Sequence, residues 1–326
     1  MDYTIGVGTV GWGLWLSYDS GSSWRHMQKV LGAEGTVRAL VVSPHSQGHI
    51  VASSDGEGLF LSTDGGFHWE PLGGPTDRDI WSLGFDPHDD HRLYVGTRPG
   101  LFRSTDDGRT YEEVATSFPA QCVIGVPRTT NVVVDPLRSE RVWATVEIGG
   151  LHRSDDRGDT WHDMGPLGQS ELHQDVHGFA VRTTGGDAEL LLTTPFGLAR
   201  SRDDGASWDW HEFEPFPGAR VEFAYSRCVR APWNDGTVIV CVGDGIPGSV
   251  GALEVSRDGG QTWKRADLPV APNSTMYWLA THDELPGVVV ATSVFGQCYV
   301  SEDHAETWRK LDRELGHVRA VCLLPR

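Results

Sequence analysis

The sequence predicts an all-β fold, a seven-bladed β-propeller that takes up residues 1–326 as one domain, and three observations predict it. An eight-residue phrase, Ser-x-Asp-x-Gly-x-Thr/Ser-Trp, recurs seven times from one end of the chain to the other. The intervals between phrases hold short strand patterns separated by turn residues, with no sustained helical period. The two ends carry incomplete units that complete each other. A repeat of this length marks an architecture whose units bury their faces only against their neighbours.

The phrase first runs over 17–24, then over 62–69, 104–111, 154–161, 201–208, 256–263 and 301–308. Its aspartates are Asp19, Asp64, Asp106, Asp156, Asp203, Asp258 and Asp303, at intervals of 45, 42, 50, 47, 55 and 45 residues. Ser and Asp side chains fold the chain back by bonding backbone N–H groups, and Gly supplies a backbone angle other residues resist. The closing Trp, or Tyr111 in the third copy, anchors the turn by burying a large ring. These aspartates are therefore read as structural. Two copies depart from the pattern: His68 stands at the Thr position and Ala305 at the Gly position.

The four strands of a unit are clearest between Thr36 and Leu72. Val37–Ser43 is the first, Ile50–Ser54 the second, Gly58–Ser62 the third and His68–Leu72 the fourth. The same four-beat pattern restarts near Ile80, Asn131, Val176, Phe223 and Met276. The N-terminus supplies only three strands, from Thr4 to Met27, and the C-terminus one, His317–Leu323, which reads as a first strand. Joining them completes a seventh unit and closes the ring, which removes free sheet edges.

Composition fits this reading. At 326 residues, length alone allows two domains, but the repeat overrides that prior. Forty Gly and 13 Trp suit many tight turns with aromatic anchors. The net charge of -18 argues against nucleic acid and anionic membrane surfaces as partners, since both demand a basic face. The five cysteines show no Cys-x-x-Cys spacing and are expected as buried, reduced thiols. No apolar run is long enough to span a membrane, and Met1 to Ile5 lacks the basic and apolar regions of a signal peptide. A cytoplasmic location is the expectation.

The phrase is the Asp-box, or bacterial neuraminidase repeat, and the chain resembles Asp-box propellers over its whole length. That class includes sialidases, xyloglucan-cleaving glycosidases, sortilin-type receptors and photosystem II assembly factors. The chain is most similar to bacterial single-domain proteins of glycosidase-like or photosystem-assembly-like type, through 146–154, 175–181, 243–253 and Asn273-Ser-Thr. Sialidases use an arginine triad and a tyrosine nucleophile. Arginines and tyrosines are present here, but the sialidase Arg-Ile-Pro motif is not, and sialidases have six blades. The resemblance fixes the fold better than the reaction, because one fold hosts many functions.

Function is expected on the face opposite the Asp-boxes, where loops enter the first strands. Those loops bring carboxylates, imidazoles, guanidinia and aromatics together around the channel, Arg128, Asp175 and Trp278 among them. Three readings of this set compete. In the first, the protein is a hydrolase- or lyase-type enzyme on a small polar, anionic or sugar-like substrate. Glu147, Glu222, His177, Tyr225 and His317 are the acid–base candidates. Arg38, Arg227, Arg319, Trp81, Tyr277 and Asn273 are the substrate-binding candidates, the arginines by paired hydrogen bonds to a carboxylate or phosphate. In the second, His173, His177 and His317 hold a divalent metal as cofactor with help from a glutamate. The plain alternative is that these histidines bond loop backbone. In the third, the same face docks a protein partner, with Trp12, Trp81, Trp278 and Phe196 as anchors. The alternative for those aromatics is packing between blades.

Gly6-x-Gly8-x-x-Gly11 matches a dinucleotide fingerprint but lies between strands with no following helix. Asn273-Ser-Thr275 is a polar loop rather than a glycosylation site in a chain read as cytoplasmic. The loops from Ala115 to Arg128 and from Gly165 to His177 are long, and long loops in compact domains are often functional. They are expected as a lid, with Gly243–Gly251 as a facing wall.

Overall fold

Strand-forming runs such as Ile50–Ser54 and Val238–Gly243 are bounded by glycines and Asp-box turns, so each pairs with its neighbour in sequence. The computed structural model describes residues 2–27, 34–219 and 221–326. Those residues form seven four-stranded antiparallel sheets. The first strand of each blade is innermost. These strands are Leu40–Val42, Asp79–Asp86, Thr129–Val134, Gly178–Thr184, Tyr225–Arg230, Met276–Ala280 and Val318–Pro325 for blades one to seven. The seventh blade is completed from the other end of the chain by Tyr3–Thr9, Leu14–Ser17 and Arg25–His26. Ile5 faces Leu323 and Val7 faces Val321 across the closing pair, so the ring shuts as expected.

Several strand boundaries differ from the sequence reading, two of them in the first blade. The first blade's inner strand begins at Leu40 rather than Val37, because the Ala39 N–H donates to the Ser53 hydroxyl at 3.0 Å instead of to a backbone carbonyl. Its fourth strand is Glu70–Gly73, since His68 belongs to the preceding turn.

The core lies between blades rather than at the axis. Trp143 and Leu151 of the third blade meet Phe179 and Leu190 of the fourth, all of them buried. Leu253 and Val255 of the fifth pack against Met276 and Tyr299 of the sixth.

Each Asp-box makes the same set of bonds. In the fourth copy the Ser154 hydroxyl accepts from Gly158 N–H at 2.7 Å and donates to Asp156 Oδ1 at 2.7 Å. Asp156 accepts from the Thr160 N–H at 2.8 Å and from its hydroxyl at 2.6 Å. Such donors stabilise the charged carboxylate. The Ser207 hydroxyl first, and then its N–H, hold Asp203 down at about 2. In the second copy the His68 ring takes the hydroxyl's place on Asp64. At the Gly position the six glycines have φ between 77° and 94°, and Ala305 adopts φ 66° there, a conformation that disfavours any Cβ.

The inner strands alternate. Arg38 and Leu40, Trp81 and Leu83, Arg319 and Val321 are partly open, while the intervening Ala39, Ser82 and Ala320 are buried. The partly open members line the channel. Charged and aromatic side chains therefore ring its mouth, with aliphatic ones a step below. All five cysteines are free, and no helix of the described residues is long and apolar enough to cross a membrane.

Candidate functional site at the channel mouth

Six inner strands or their approaches, and in the third blade the turn after Val142–Val146, bring side chains of all seven blades to the mouth. Arg38, Trp81, Glu147, His177, Arg227, Tyr277 and Arg319 come from blades one to seven in order, and line a well of about 20 Å³. That is room for one water-sized group.

The arginines at the well fall into two kinds. Arg38 is paired with Asp55 at 2.7 Å, and Arg128 with Glu147. Trp81 lies under both cations, 4.7 Å from the Arg38 guanidinium and 4.0 Å from that of Arg128. Arg227 and Arg319 have no carboxylate within ion-pair distance among the described residues. Instead both donate to the Tyr277 hydroxyl, Arg227 at 2.6 Å and Arg319 at 3.0 Å. Arg319 Nε, Trp81 Nε1 and Trp278 Nε1 are buried donors with no acceptor among the described residues. Burial, reinforced by Arg227 and Arg38, pushes the Arg319 guanidinium below its usual value, although Tyr277 acts the other way. The well therefore has a surplus of donors and of positive charge.

Beside it lies a buried imidazole. His177 Nδ1 is 2.7 Å from the Ser226 carbonyl, and its Nε2 is 3.0 Å from Asp175 Oδ2. A carbonyl oxygen and a carboxylate oxygen both require a donor, and a neutral ring has only one N–H. Burial, reinforced by Arg227, favours the neutral ring against the pull of Asp175 and the Ser226 carbonyl, so His177 has one proton for the two oxygens. Burial opposes charge on Asp175, but His177, Arg227 and Arg128 outweigh it and hold the carboxyl below its usual range. The Tyr225 hydroxyl lies 3.2 Å from the same Nε2. Burial pushes this phenol up to about 12, so it remains a hydrogen-bond donor at neutral pH. Asp175 Oδ1 is buried and has no donor among the described residues.

The structure brings together most of the residues expected from sequence. Arg38, Trp81, Glu147, His177, Arg227, Tyr277 and Arg319 line the well, and Tyr225 touches His177. His317 stands near its edge. Burial, then Arg319 and Arg38, push its imidazole down. Three candidates are elsewhere. Glu222 is exposed and does not line the well. Asn273 braces its own loop, its side-chain oxygen accepting from the Ser293 hydroxyl at 2.8 Å and from Ser274 at 3.1 Å. His173 sits in the short 3-10 helix Glu171–Gln174, bonded to Ser170 and stacked on Phe196 at 4.5 Å.

The expected histidine metal site is corrected by the same geometry. His173 and His177 are spent on separate local partners, and no three His, Cys, Asp or Glu side chains among the described residues are grouped to hold a metal ion. Gly243–Gly251 does not wall the well. Asp244 ties that loop to itself through Ser249, at 2.6 and 2.7 Å. The two long loops do end at the site, one at Arg128 and the other at Asp175 and His177. The sequence reading set Arg128 and Asp175 on this face without a role. Arg128 is set apart by a partner in a neighbouring loop, Glu147, which leaves no mark on spacing, and Asp175 by His177 two residues on.

Comparison with known proteins places the fold. The family model for the BNR/Asp-box repeat matches residues 254–265. The oligoxyloglucan-reducing end-specific xyloglucanase of Emericella nidulans is 22% identical over 302 residues, covering 86% of this chain and 33% of that protein. The xyloglucanase of Hypocrea jecorina is 24% identical over 343 residues, covering 88% of this chain and 39% of the other. The chain thus spans little more than a third of the length of these curated relatives. Among solved structures, the GH74 xyloglucanase from Xanthomonas campestris superposes with a TM-score of 0.65 at 20% identity, over 94% of this chain and 46% of that one. YCF48 bound to D1 peptide gives 0.60 at 17%, over 90% and 85%. The protein is an Asp-box seven-bladed β-propeller, with xyloglucanases and YCF48 among its relatives in fold.

Proposed function

We propose that the channel mouth recognises an anionic group on a small polar substrate, and that the propeller acts on it as a hydrolase- or lyase-type enzyme. The observation that carries this reading is the donor surplus, with Arg227 and Arg319 sharing one neutral acceptor. One oxygen of a carboxylate, sulfate or phosphate set between them would accept charge-assisted hydrogen bonds from both. The Asp175 carboxylate and the His177 imidazole lie side by side next to the same well, where they can take a proton from a substrate and return it. Tyr225 donates a hydrogen bond rather than attacking, because its phenol stays protonated.

The xyloglucanases among the relatives support a sugar-like substrate body. Glycoside cleavage uses two carboxyl groups, and Glu147 and Asp175 are the pair at hand. Each is held by a neighbour, Glu147 by the Arg128 guanidinium and Asp175 by the His177 ring, and would have to be released to act. The well has room for one oxygen of the anion, so the rest of the substrate would lie outside it. Assaying 4-nitrophenyl glucuronide against 4-nitrophenyl glucoside tests this reading. Turnover of the glucuronide that disappears in a folded His177→Ala variant supports it. Failure of the wild-type protein to turn over or bind either compound overturns it.

A second reading, a scaffold for a protein partner, is favoured by one separate observation. Trp12, Val123, Ile124, Leu172, Ile246 and Phe295 are exposed, and all lie on loops of this same face. An apolar rim around a cationic well suits a peptide with an acidic side chain or terminus. Release of such a peptide by Trp12→Ala, with no turnover of any small molecule, would move this reading to first place.

A further inference from the structure

We propose that the channel below the well seats the apolar stem of an amphiphilic anion, so that the ligand is a slender molecule with one carboxylate-like head and an aliphatic tail. This rests on the reading of the well as an anion site and adds the chemistry of what hangs from the anion. The well opens downward, past Arg38, Trp81, Trp278 and Arg319, into a cavity of about 310 Å³. That volume is at the lower end of ligand pockets, which run from roughly 300 to 1,000 Å³. The side chains at this level include Leu40, Leu83, Val133, Leu279 and Val321 together with Thr130 and Asn131, and among the described residues no carboxylate lines it. Among the described residues its one cation below the mouth is Arg230, whose Nη1 donates to the Val229 carbonyl at 2.9 Å.

The polarity along the axis orients the occupant. Below the aliphatic girdle a further cavity of about 360 Å³ opens on the Asp-box face, lined by His45, His282, Asp283 and Glu284. An anionic head is drawn to Arg227 and Arg319 at the top and repelled by Asp283 and Glu284 at the bottom. A fully polar ligand would leave the aliphatic girdle in contact with water. A neutral apolar one would leave the buried donors Arg319 Nε, Trp81 Nε1 and Trp278 Nε1 without acceptors. An amphiphilic anion satisfies both levels at once. Each methylene buried in the girdle should tighten binding roughly fourfold.

The test is calorimetric titration of the full chain with acetate, butyrate, hexanoate and octanoate, and with octanol as a neutral control. Affinity is expected to climb roughly fourfold per methylene along the acids. Octanol should bind at least tenfold more weakly than octanoate. Val321→Trp, or Leu83→Phe should the first fail to fold, narrows the channel and should flatten the series while leaving acetate unchanged. Acetate binding with no gain along the wild-type series overturns the stem and leaves the anion well standing. Octanol binding as tightly as octanoate overturns the orientation by the head. Binding of none of them overturns both the stem and the well.

Discussion

Arg227 and Arg319, from adjacent-but-one blades, donate to the same oxygen, the Tyr277 hydroxyl, at 2.6 and 3.0 Å. Two guanidinia that share a neutral acceptor repel each other, and an anion between them would relieve the repulsion. Replacing Tyr277 with Phe takes away the acceptor and leaves both donors short of a partner. The variant is expected to lose roughly 1–3 kcal/mol of stability. Chemical denaturation measures this, and an unchanged midpoint would show that the shared bond contributes nothing.

Arg227→Lys keeps the charge but loses the planar fork. If paired bonds hold the ligand, phosphate affinity should fall at least ~10-fold, about 1.4 kcal/mol. Equal affinity in titration calorimetry would mean that the well attracts anions only as a diffuse positive field.

The Asp-box serines are expected to matter more than their surface position suggests. Ser154 is fully buried, and its hydroxyl caps the Gly158 N–H. Ser154→Ala leaves that N–H unsatisfied and should cost roughly 1–3 kcal/mol. Urea unfolding reads the loss, and a shift within error of zero would rule out the hydroxyl as the turn's support.

Acid should weaken the fold through His152. The ring is buried, its Nε2 donates to the Gly149 carbonyl at 3.0 Å, and its Nδ1 accepts from Ser117 at 3.0 Å. Burial, ahead of the opposing Gly149 bond, pushes the imidazole below its ordinary 6.5. A histidine lowered on folding adds stability that is complete above its unfolded value. That stability is lost as pH falls from about 6.5 through the lower folded value. The melting temperature should therefore drop over that window, and His152→Gln should flatten the drop. A wild-type curve that stays level from pH 7 to 5 would contradict this.

Ring closure should be needed for a single cooperative transition. Removing 318–326 takes the inner strand from the seventh blade and exposes Tyr3–Thr9 as an edge. The truncated chain is expected to aggregate on size-exclusion chromatography and to melt over a broad range. A monomer with a sharp transition would show that six blades suffice.

The fold was legible because its signal is local. Ser62, Asp64 and Gly66 lie within one turn, and seven such turns at regular spacing leave little freedom in the architecture. The complementary ends, Thr4–Met27 and His317–Leu323, were legible for the same reason. The site was legible only as a face. Arg38, Arg227 and Arg319 were placed correctly because strand starts follow from the repeat. Glu222 and Asn273 were not, because their loops lack a period to set direction. Nor could sequence separate Arg128, paired with Glu147, from Arg319, which has no carboxylate partner. That difference depends on contacts between loops far apart in the chain. His173 and His177 were read as candidate ligands of one metal, but a short 3-10 helix and the following strand send the two rings to different partners.

The central claim is that the mouth of the channel binds an anion between Arg227 and Arg319. The most direct measurement is the anomalous difference map of a crystal soaked in selenate. The account predicts a peak within hydrogen-bond reach of both guanidinia, beside the Tyr277 hydroxyl, that is absent from an Arg227→Ala, Arg319→Ala double variant. A map with selenate at other surface arginines and none in the well would contradict it.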